Sequence, residues 1–265
     1  MVQKEKTNIR RNVGVNMLMN RDMQPEVTFL FPVHNEAETI ETVISEFYNE
    51  VGSKIPSKIL VVEDGSIDGT KEVLEKLSDK IPMTLMMDNQ RRGYSQAIIR
   101  GLKKVNTKYV FLTDSDGQHF AKDFWSLYEY KDKYDILSGW RVKRADCLHR
   151  KIMSRLFQII AKSLFKMSSL HDITAPYRLM LSDVAKSIAN ECKFMKESFW
   201  TELTIRALQK GYTIREIPIS HRTRIGKGST RVYLPTKIPK IAIAHLAGLS
   251  KLWLELRRWG SGIKR

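Results

Sequence analysis

Apolar and polar positions divide the chain into two unlike halves. In the first half, short apolar runs alternate with amphipathic stretches. "VTFLFPV" (27–33) is an unbroken apolar run of strand length, and Pro32 is expected to end its regular pairing. "AETIETVISEFYNEV" (37–51) spaces Ile40, Val43, Ile44 and Phe47 at helical intervals. "KILVVEDGS" (58–66) predicts a second strand running into a turn at Asp64-Gly65, and "DGTKEVLEKLS" (68–78) a helix. "MTLMMDN" (83–89) predicts a strand, "GYSQAIIRGLKKV" (93–105) a helix and "KYVFLTDSD" (108–116) a strand. Strands alternating with helices predict the α/β class, with a mostly parallel sheet covered on both faces. Such sheets bind ligands beyond the carboxyl ends of their strands.

The second half carries longer amphipathic segments. In "LHRKIMSRLFQIIAKSLFKM" (148–167), Leu148, Ile152, Leu156, Ile159, Ile160 and Leu164 share one broad face, with Arg150, Lys151, Arg155 and Lys162 on or near the other. That pattern fits a helix lying in a membrane interface, and equally a surface helix packed on the sheet. "IAIAHLAGLSKLWLEL" (241–256), followed by Arg257-Arg258-Trp259, is a second, weaker interfacial pattern, and its outlying apolar positions Ile243 and Leu254 make it fit a core helix equally well. It carries His245, Lys251 and Glu255 and falls short of the roughly 18 apolar residues a spanning helix needs, so none is expected. The expected organisation is a basic tail over 1–25, a main domain over 26–235 and a basic helical segment over 236–265. The tail lacks the continuous apolar core of a signal peptide.

Charge narrows the partners. Lys+Arg 45 against Asp+Glu 29 gives a formal net +16, which favours polyanions. A nucleic-acid-binding protein is the remote alternative, because interleaved aromatics, zinc spacing and a helix-turn-helix are all missing. Cys147 and Cys192 lie far apart in sequence and form no metal-ligand spacing. They suit free thiols in a reducing compartment, with a disulfide as the alternative.

The polar residues at the strand ends point to a site. His34-Asn35-Glu36, Glu63-Asp64-Gly65-Ser66 and Asp114-Ser115-Asp116 each follow an apolar run, which puts three acidic clusters on one sheet edge. Two carboxylates at i and i+2 of a strand face the same side and can hold a hard cation that neutralises a diphosphate. Gln118, another step of two along, could add an oxygen.

These clusters, with Asn89-x-x-x-Gly93, resemble the motifs of family 2 glycosyltransferases in order and spacing over about residues 27–230. Asp114-Ser115-Asp116-Gly117-Gln118-His119 is similar to the Asp-x-Asp-x-Gln-His of dolichol- and polyprenyl-phosphate sugar synthases. "HDITAPYRLM" (171–180) and "RTRIGKGST" (222–230) resemble two further segments of that group. Three positions depart from the pattern: His34 stands where Tyr or Phe is usual, Pro176 replaces a Gly, and the glycines of the "GKGS" loop are displaced.

The resemblance implies the Rossmann-like GT-A fold with added amphipathic helices. It implies that Pro32, His34, Glu36, Asp64, Arg92, Gly93 and Asp114 hold the nucleotide sugar. Asp114, Asp116 and Gln118 would hold Mg²⁺ or Mn²⁺. Arg141, Arg150, Ser154 and Ser229 would meet the acceptor phosphate or the diphosphate. Asp116, Asp172 and Arg224 would be the catalytic residues, and Glu202 in "FWTEL" matches a helix that carries an acidic base in other members. The implied reaction is inverting transfer of one sugar to a polyprenyl or dolichyl phosphate, with a glycan or protein acceptor as the alternative. The implied place is the cytoplasmic face of an anionic membrane, reached by interfacial helices or a separate anchor subunit.

Overall fold

The computed structural model describes residues 24–145, 148–226 and 238–260. The tail at 1–23, Cys147 and Ser229 lie outside the described residues. Seven strands form one sheet in the order β3-β2-β1-β4-β6-β5-β7. β1 (Val27–Val33), β2 (Ser57–Glu63), β3 (Thr84–Met87) and β4 (Tyr109–Leu112) are mutually parallel, as the alternating pattern requires. β6 (Arg178–Leu181) runs antiparallel to both its neighbours, β4 and β5 (Ile136–Arg141), and β7 (Ile214–Ile219) is parallel to β5.

Alternation along β1 sends Phe29 and Phe31 to one face and Leu30 to the other. The first face packs Phe29, Phe111, Phe47 of α1 (Ile40–Phe47) and Phe124 of α4 (Phe124–Tyr128) ring to ring, and Leu74 and Leu77 of α2 (Thr70–Ser78) join the same cluster. Phe29 and Phe124 have centroids 5.2 Å apart. The second face is covered by α3 (Tyr94–Lys104), α6 (Ser182–Ala189) and α7 (Phe199–Gln209).

A third cluster joins Ala161 of α5 (Leu148–Leu164) to Leu249 and Leu252 of α8 (Ile238–Gly260). α5 turns its broad apolar face outward: Leu148 is 73% exposed and Ile159 57%. On α8, Ile243 and Leu254 are exposed while Leu249 and Leu252 are buried. None of the described helices is long and apolar enough to cross a membrane.

Pro32 does not end β1. Its register with β2 continues through Pro32↔Val62 to Val33↔Glu63. The Val33 carbonyl accepts from Asp64 N, so Pro32 aims its main-chain groups the other way, toward β4. Pairing with β4 has already stopped at Leu30↔Leu112, and the missing N–H costs no ladder bond.

The loops after β1 and β2 are joined by side chains. Asn35 N donates to Ser66 Oγ (2.8 Å), Glu36 N to Thr70 Oγ1 (2.9 Å) and Ile67 N to Asn35 Oδ1 (3.0 Å). Gly65 is where this edge meets the loop before α3. Its φ is +66°, and a Cβ there would lie 2.4 Å from Arg91 N and Gln90 C. Both conditions exclude a side chain. Gly65→Ala is expected to cost about 2–4 kcal/mol from the left-handed φ and overpacking against backbone. Urea unfolding should show this as a lower midpoint at unchanged slope.

Candidate active site

The strand-end clusters of β1, β2 and β4 stand side by side, because β1 lies between the other two. They line one cavity of about 540 Å³. Asp64 is fixed by main chain: Arg92 N and Gly93 N each donate to its carboxylate at 2.8 Å. Gly93, with φ +101°, opens α3 immediately afterwards. Pro32, His34 and Arg91 share that end of the cavity with Asp64.

The acidic centre holds Glu36, Asp114 and Asp116. Tyr94 Oη donates to Asp114 Oδ1 at 2.6 Å and accepts from Trp200 Nε1 at 2.9 Å. Burial, and then the neighbouring Asp116, push the Asp114 carboxyl up to about 6. Burial pushes Glu36 up to about 7, against the opposing effect of the Thr39 hydroxyl and of Arg224. The Arg224 guanidinium lies 2.5 Å from both Glu36 oxygens.

Beyond the carboxylates the lining turns basic, with Arg141, Arg144 and Arg150. Arg141 grips Asp172 through Nε and Nη2 at 2.7 and 3.0 Å and also donates to Thr174 Oγ1 at 2.9 Å. Burial would raise the Asp172 carboxyl, but Arg141 overrules it and holds the group well below the usual range. Arg144 donates to Ser154 Oγ on α5 at 2.7 Å. The far end is apolar, walled by Met153, Leu156, Phe157 and Ile160 of α5 and by Ile241, Ala242 and Leu246 of α8. Leu156, Ile160 and Leu246 line the cavity and are also about half exposed, so its apolar end opens onto the exposed apolar faces.

Known proteins were compared with this chain. Residues 28–189, more than half of it, match the profile of glycosyl transferase family 2. The chain belongs to this family. It is 30% identical over 136 residues to a dolichol-phosphate mannosyltransferase of Pyrococcus furiosus, across 49% of this chain and 38% of that protein. It is 31% identical over 109 residues to a poly-beta-1,6-N-acetyl-D-glucosamine synthase of Staphylococcus aureus, across 41% of this chain and 26% of that one. The matches thus span well under half of either relative's length. Among solved structures, glucosyl-3-phosphoglycerate synthase of Mycobacterium tuberculosis, crystallised with Mn²⁺, UDP and phosphoglyceric acid, superposes with a TM-score of 0.66. That match covers 91% of this chain and 82% of that one at 13% identity. The fold of this family 2 member is GT-A.

The structure redistributes several of the expected roles. The Gln118 side chain lies outside the cavity lining, although its N–H donates to Asp116 Oδ1 at 3.1 Å: Gly117 takes φ +71°, which breaks the strand alternation. Gln118 Nε2 then faces the Arg222 carbonyl at 3.5 Å. Arg92 serves Asp64 through its main chain and extends an exposed guanidinium toward Asp88, while Arg91 lines the cavity. Asp172 stands behind Arg141 and outside the lining. Glu202 is buried on α7, where it accepts from the N–H groups of Lys193, Phe194 and Met195 and from Arg206. It lies outside the cavity lining. Tyr94, Trp200, Arg91 and Arg144 were not expected in the site. The only cues in sequence were that Tyr94 follows Gly93 and that Trp200 sits in "FWTEL".

Asp114 and Asp116 suit a hard divalent cation. They are oxygen donors on one wall, and their mutual repulsion is a cost that a cation between them removes. Among the described residues no three His, Cys, Asp or Glu side chains gather as a metal set. Two carboxylates plus substrate phosphates is the usual arrangement for Mg²⁺.

The raised Asp114 carboxyl gives a signed pH effect. Between the unfolded carboxyl value of about 3.9 and about 6, the folded chain keeps a proton that the unfolded chain has lost. Stability therefore falls as pH rises through that window. Asp114→Asn has no such proton to lose and can still accept from Tyr94. It should be more stable than the unaltered chain by about 1–3 kcal/mol above pH ~6.5, with the gap closing below pH ~4. Thermal unfolding in chelator across that range measures it, and parallel profiles would refute the assignment.

Proposed function

We propose that this family 2 glycosyltransferase moves one sugar from a nucleotide-sugar donor to a polyprenyl or dolichyl phosphate at a membrane surface. The observation that carries the reading is the two-ended cavity. Carboxylates and arginines meet at the sheet edge, and an apolar channel between α5 and α8 opens onto exposed leucine and isoleucine side chains. A sugar nucleotide needs only the first end. An acceptor with a phosphate head and an isoprenoid chain needs both. The Pyrococcus relative supports the same acceptor class.

Asp64, Glu36 and Pro32 lie where a nucleoside would be held, since carboxylates accept from ribose hydroxyls and base N–H groups. Asp114 and Asp116 are the residues that would hold Mg²⁺ or Mn²⁺, which when bound supplies positive charge to the departing diphosphate. Arg224 would exchange Glu36 for diphosphate oxygens, and Arg141, Arg144 and Arg150 would cradle the acceptor phosphate. Guanidinium forks match phosphate oxygens in pairs. An acceptor oxygen attacks the anomeric carbon as the bond to the diphosphate breaks, and the bonding pair leaves with the diphosphate. The acceptor is already an anion, so the reaction needs little from a general base. That agrees with Glu202 being fully occupied elsewhere. Attack opposite the leaving group inverts the anomeric centre, as the family resemblance implies.

The outward apolar faces of α5 and α8, with Lys151 and Arg155 beside them, suit an anionic bilayer. Incubation with polyprenyl phosphate and a panel of radiolabelled GDP- and UDP-sugars should give an organic-extractable product with one donor. Label appearing only in a water-soluble glycan or protein would overturn the acceptor class. Asp116→Ala should lower metal-dependent turnover by at least about a hundredfold.

Membrane docking has its own test. Ile152 and Ile159 are exposed and outside the cavity lining. Changing both to Asp should reduce co-sedimentation with phosphatidylserine vesicles by about a hundredfold or more, while leaving thermal stability unchanged. Equal sedimentation of variant and parent would show that α5 does not touch lipid.

A further inference from the structure

Glu216 lies on β7, at the edge of the sheet, with its side chain only 6% exposed. Its carboxylate accepts from two consecutive main-chain groups, His171 N at 2.5 Å and Asp172 N at 2.6 Å, and contacts the His171 ring at 3.0 Å. It makes no contact with the cavity. The segment it holds does. Asp172, fixed by its own N–H, turns both carboxylate oxygens to Arg141, and one of them also accepts from the Thr174 hydroxyl at 2.9 Å. Arg141 and Thr174 line the cavity.

Other groups brace the same segment. The His171 ring stacks on Trp140 at 3.9 Å, one residue before Arg141. Ile173 N donates to Gln158 on α5 at 3.2 Å, and buried Arg178 donates to the Ile173 and Ala175 carbonyls at 3.1 and 3.0 Å. The Asp172 N–H is held by Glu216, while the Asp172 carbonyl accepts from Ala175 N at 3.4 Å within the same turn. The order of support is therefore β7 carboxylate, Asp172 main chain, Asp172 carboxylate, Arg141 guanidinium, cavity.

An arginine side chain has several free rotors and recognises phosphate only when its plane is set. We propose that Glu216 is a positioning residue for acceptor recognition, holding Asp172 so that Arg141 presents a fixed guanidinium to the acceptor phosphate. The proposal rests on the lipid-phosphate reading given above.

Glu216→Gln tests it. The carboxamide offers one acceptor oxygen to two adjacent N–H groups, and its own NH₂ then faces the second. Losing charge-assisted bonds to that main chain should raise the KM for polyprenyl phosphate by about tenfold or more. The KM for the sugar nucleotide should stay unchanged, because Asp64 is held by the Arg92 and Gly93 N–H groups and Glu36 by Thr39 and Arg224. A purely structural role would move both constants together, or neither while lowering the melting temperature, and either result overturns the proposal. Should the Gln variant not fold, Glu216→Asp, which keeps the charge and shortens the reach, should give the same split in milder form. If the unaltered enzyme forms no polyprenyl-phosphate sugar, the acceptor reading fails and takes this proposal with it. If it does and Glu216→Gln matches it in both constants, the proposal alone fails.

Discussion

Buried like charge is the constraint to which the rest of the crevice responds. Glu36, Asp114 and Asp116 face one cavity, and burial already disfavours the ionised forms of Glu36 and Asp114. Each surrounding group answers that cost. Arg224 sits on both oxygens of Glu36. Tyr94 donates to Asp114 and is itself held by the Trp200 indole. Arg141 and Arg150 line the same cavity, and their charge draws the Asp114 carboxyl back down. Two neighbouring carboxylates at a strand end, one of them with its ionised form disfavoured by burial and by the other's charge, suit a divalent cation. This is why the electrostatics, and not the Asp-x-Asp spacing alone, support metal-diphosphate chemistry here.

The sheet topology explains how distant segments reach that crevice. β1, β2 and β4 deliver their carboxyl ends to one edge because they are parallel. β6 is reversed, so its beginning lies at the same edge and brings residues 171–177 with it. β7 returns parallel to β5 and sends 220–226 over the same edge, where Ile225 N bonds to the Asp116 carbonyl and Arg222 N to that of Gln118. The inverted strand brings Asp172 to this edge by its start, while β5 and β7 bring Arg141 and Arg224 to it by their ends.

That inversion also marks where the sequence stopped being legible. The first four strands and their helices are readable because each apolar run is long enough to stand out and is bounded by turn residues. The two-sided burial of β1 and β2 follows from their unbroken apolar character. "RLML" and "IREIPI" are short and mixed, and no periodicity separates a four-residue antiparallel strand from a loop. Among the residues that line the cavity, Asp64, Asp114, Asp116 and Glu36 were legible because strand ends converge by rule. Gln118 was misplaced because a single positive φ at Gly117 cancels the period-two argument. Glu202 was misplaced because a carboxylate in a motif does not reveal which N–H groups will claim it. Pattern gave the amphipathicity of 148–164 but not which face points outward. That depends on the buried cluster of Ala161 with Leu249 and Leu252, more than eighty residues away in sequence.

Glu202 has a consequence for the apolar end of the cavity. By capping Lys193, Phe194 and Met195 it freezes the segment on which α8 rests. Gly248 of α8 comes so near that a Cβ would lie 2.9 Å from the Phe194 carbonyl, and Arg206 bridges Glu202 to Glu255 at 2.9 Å. The same segment is tied to the donor side, since Ser95 of α3 donates to the Lys196 carbonyl at 2.8 Å and Trp200 reaches Tyr94. The apolar wall and the Asp114 carboxylate are thus joined through a short, fully bonded stretch and not through a free loop. Sites held on rigid elements keep their distances. A lipid phosphate carries its charged head and its apolar chain at a fixed separation set by covalent bonds. Under the proposed lipid-phosphate reading, a pocket that holds both ends at once needs that separation built into the fold, and the bonds of the buried Glu202 would supply it.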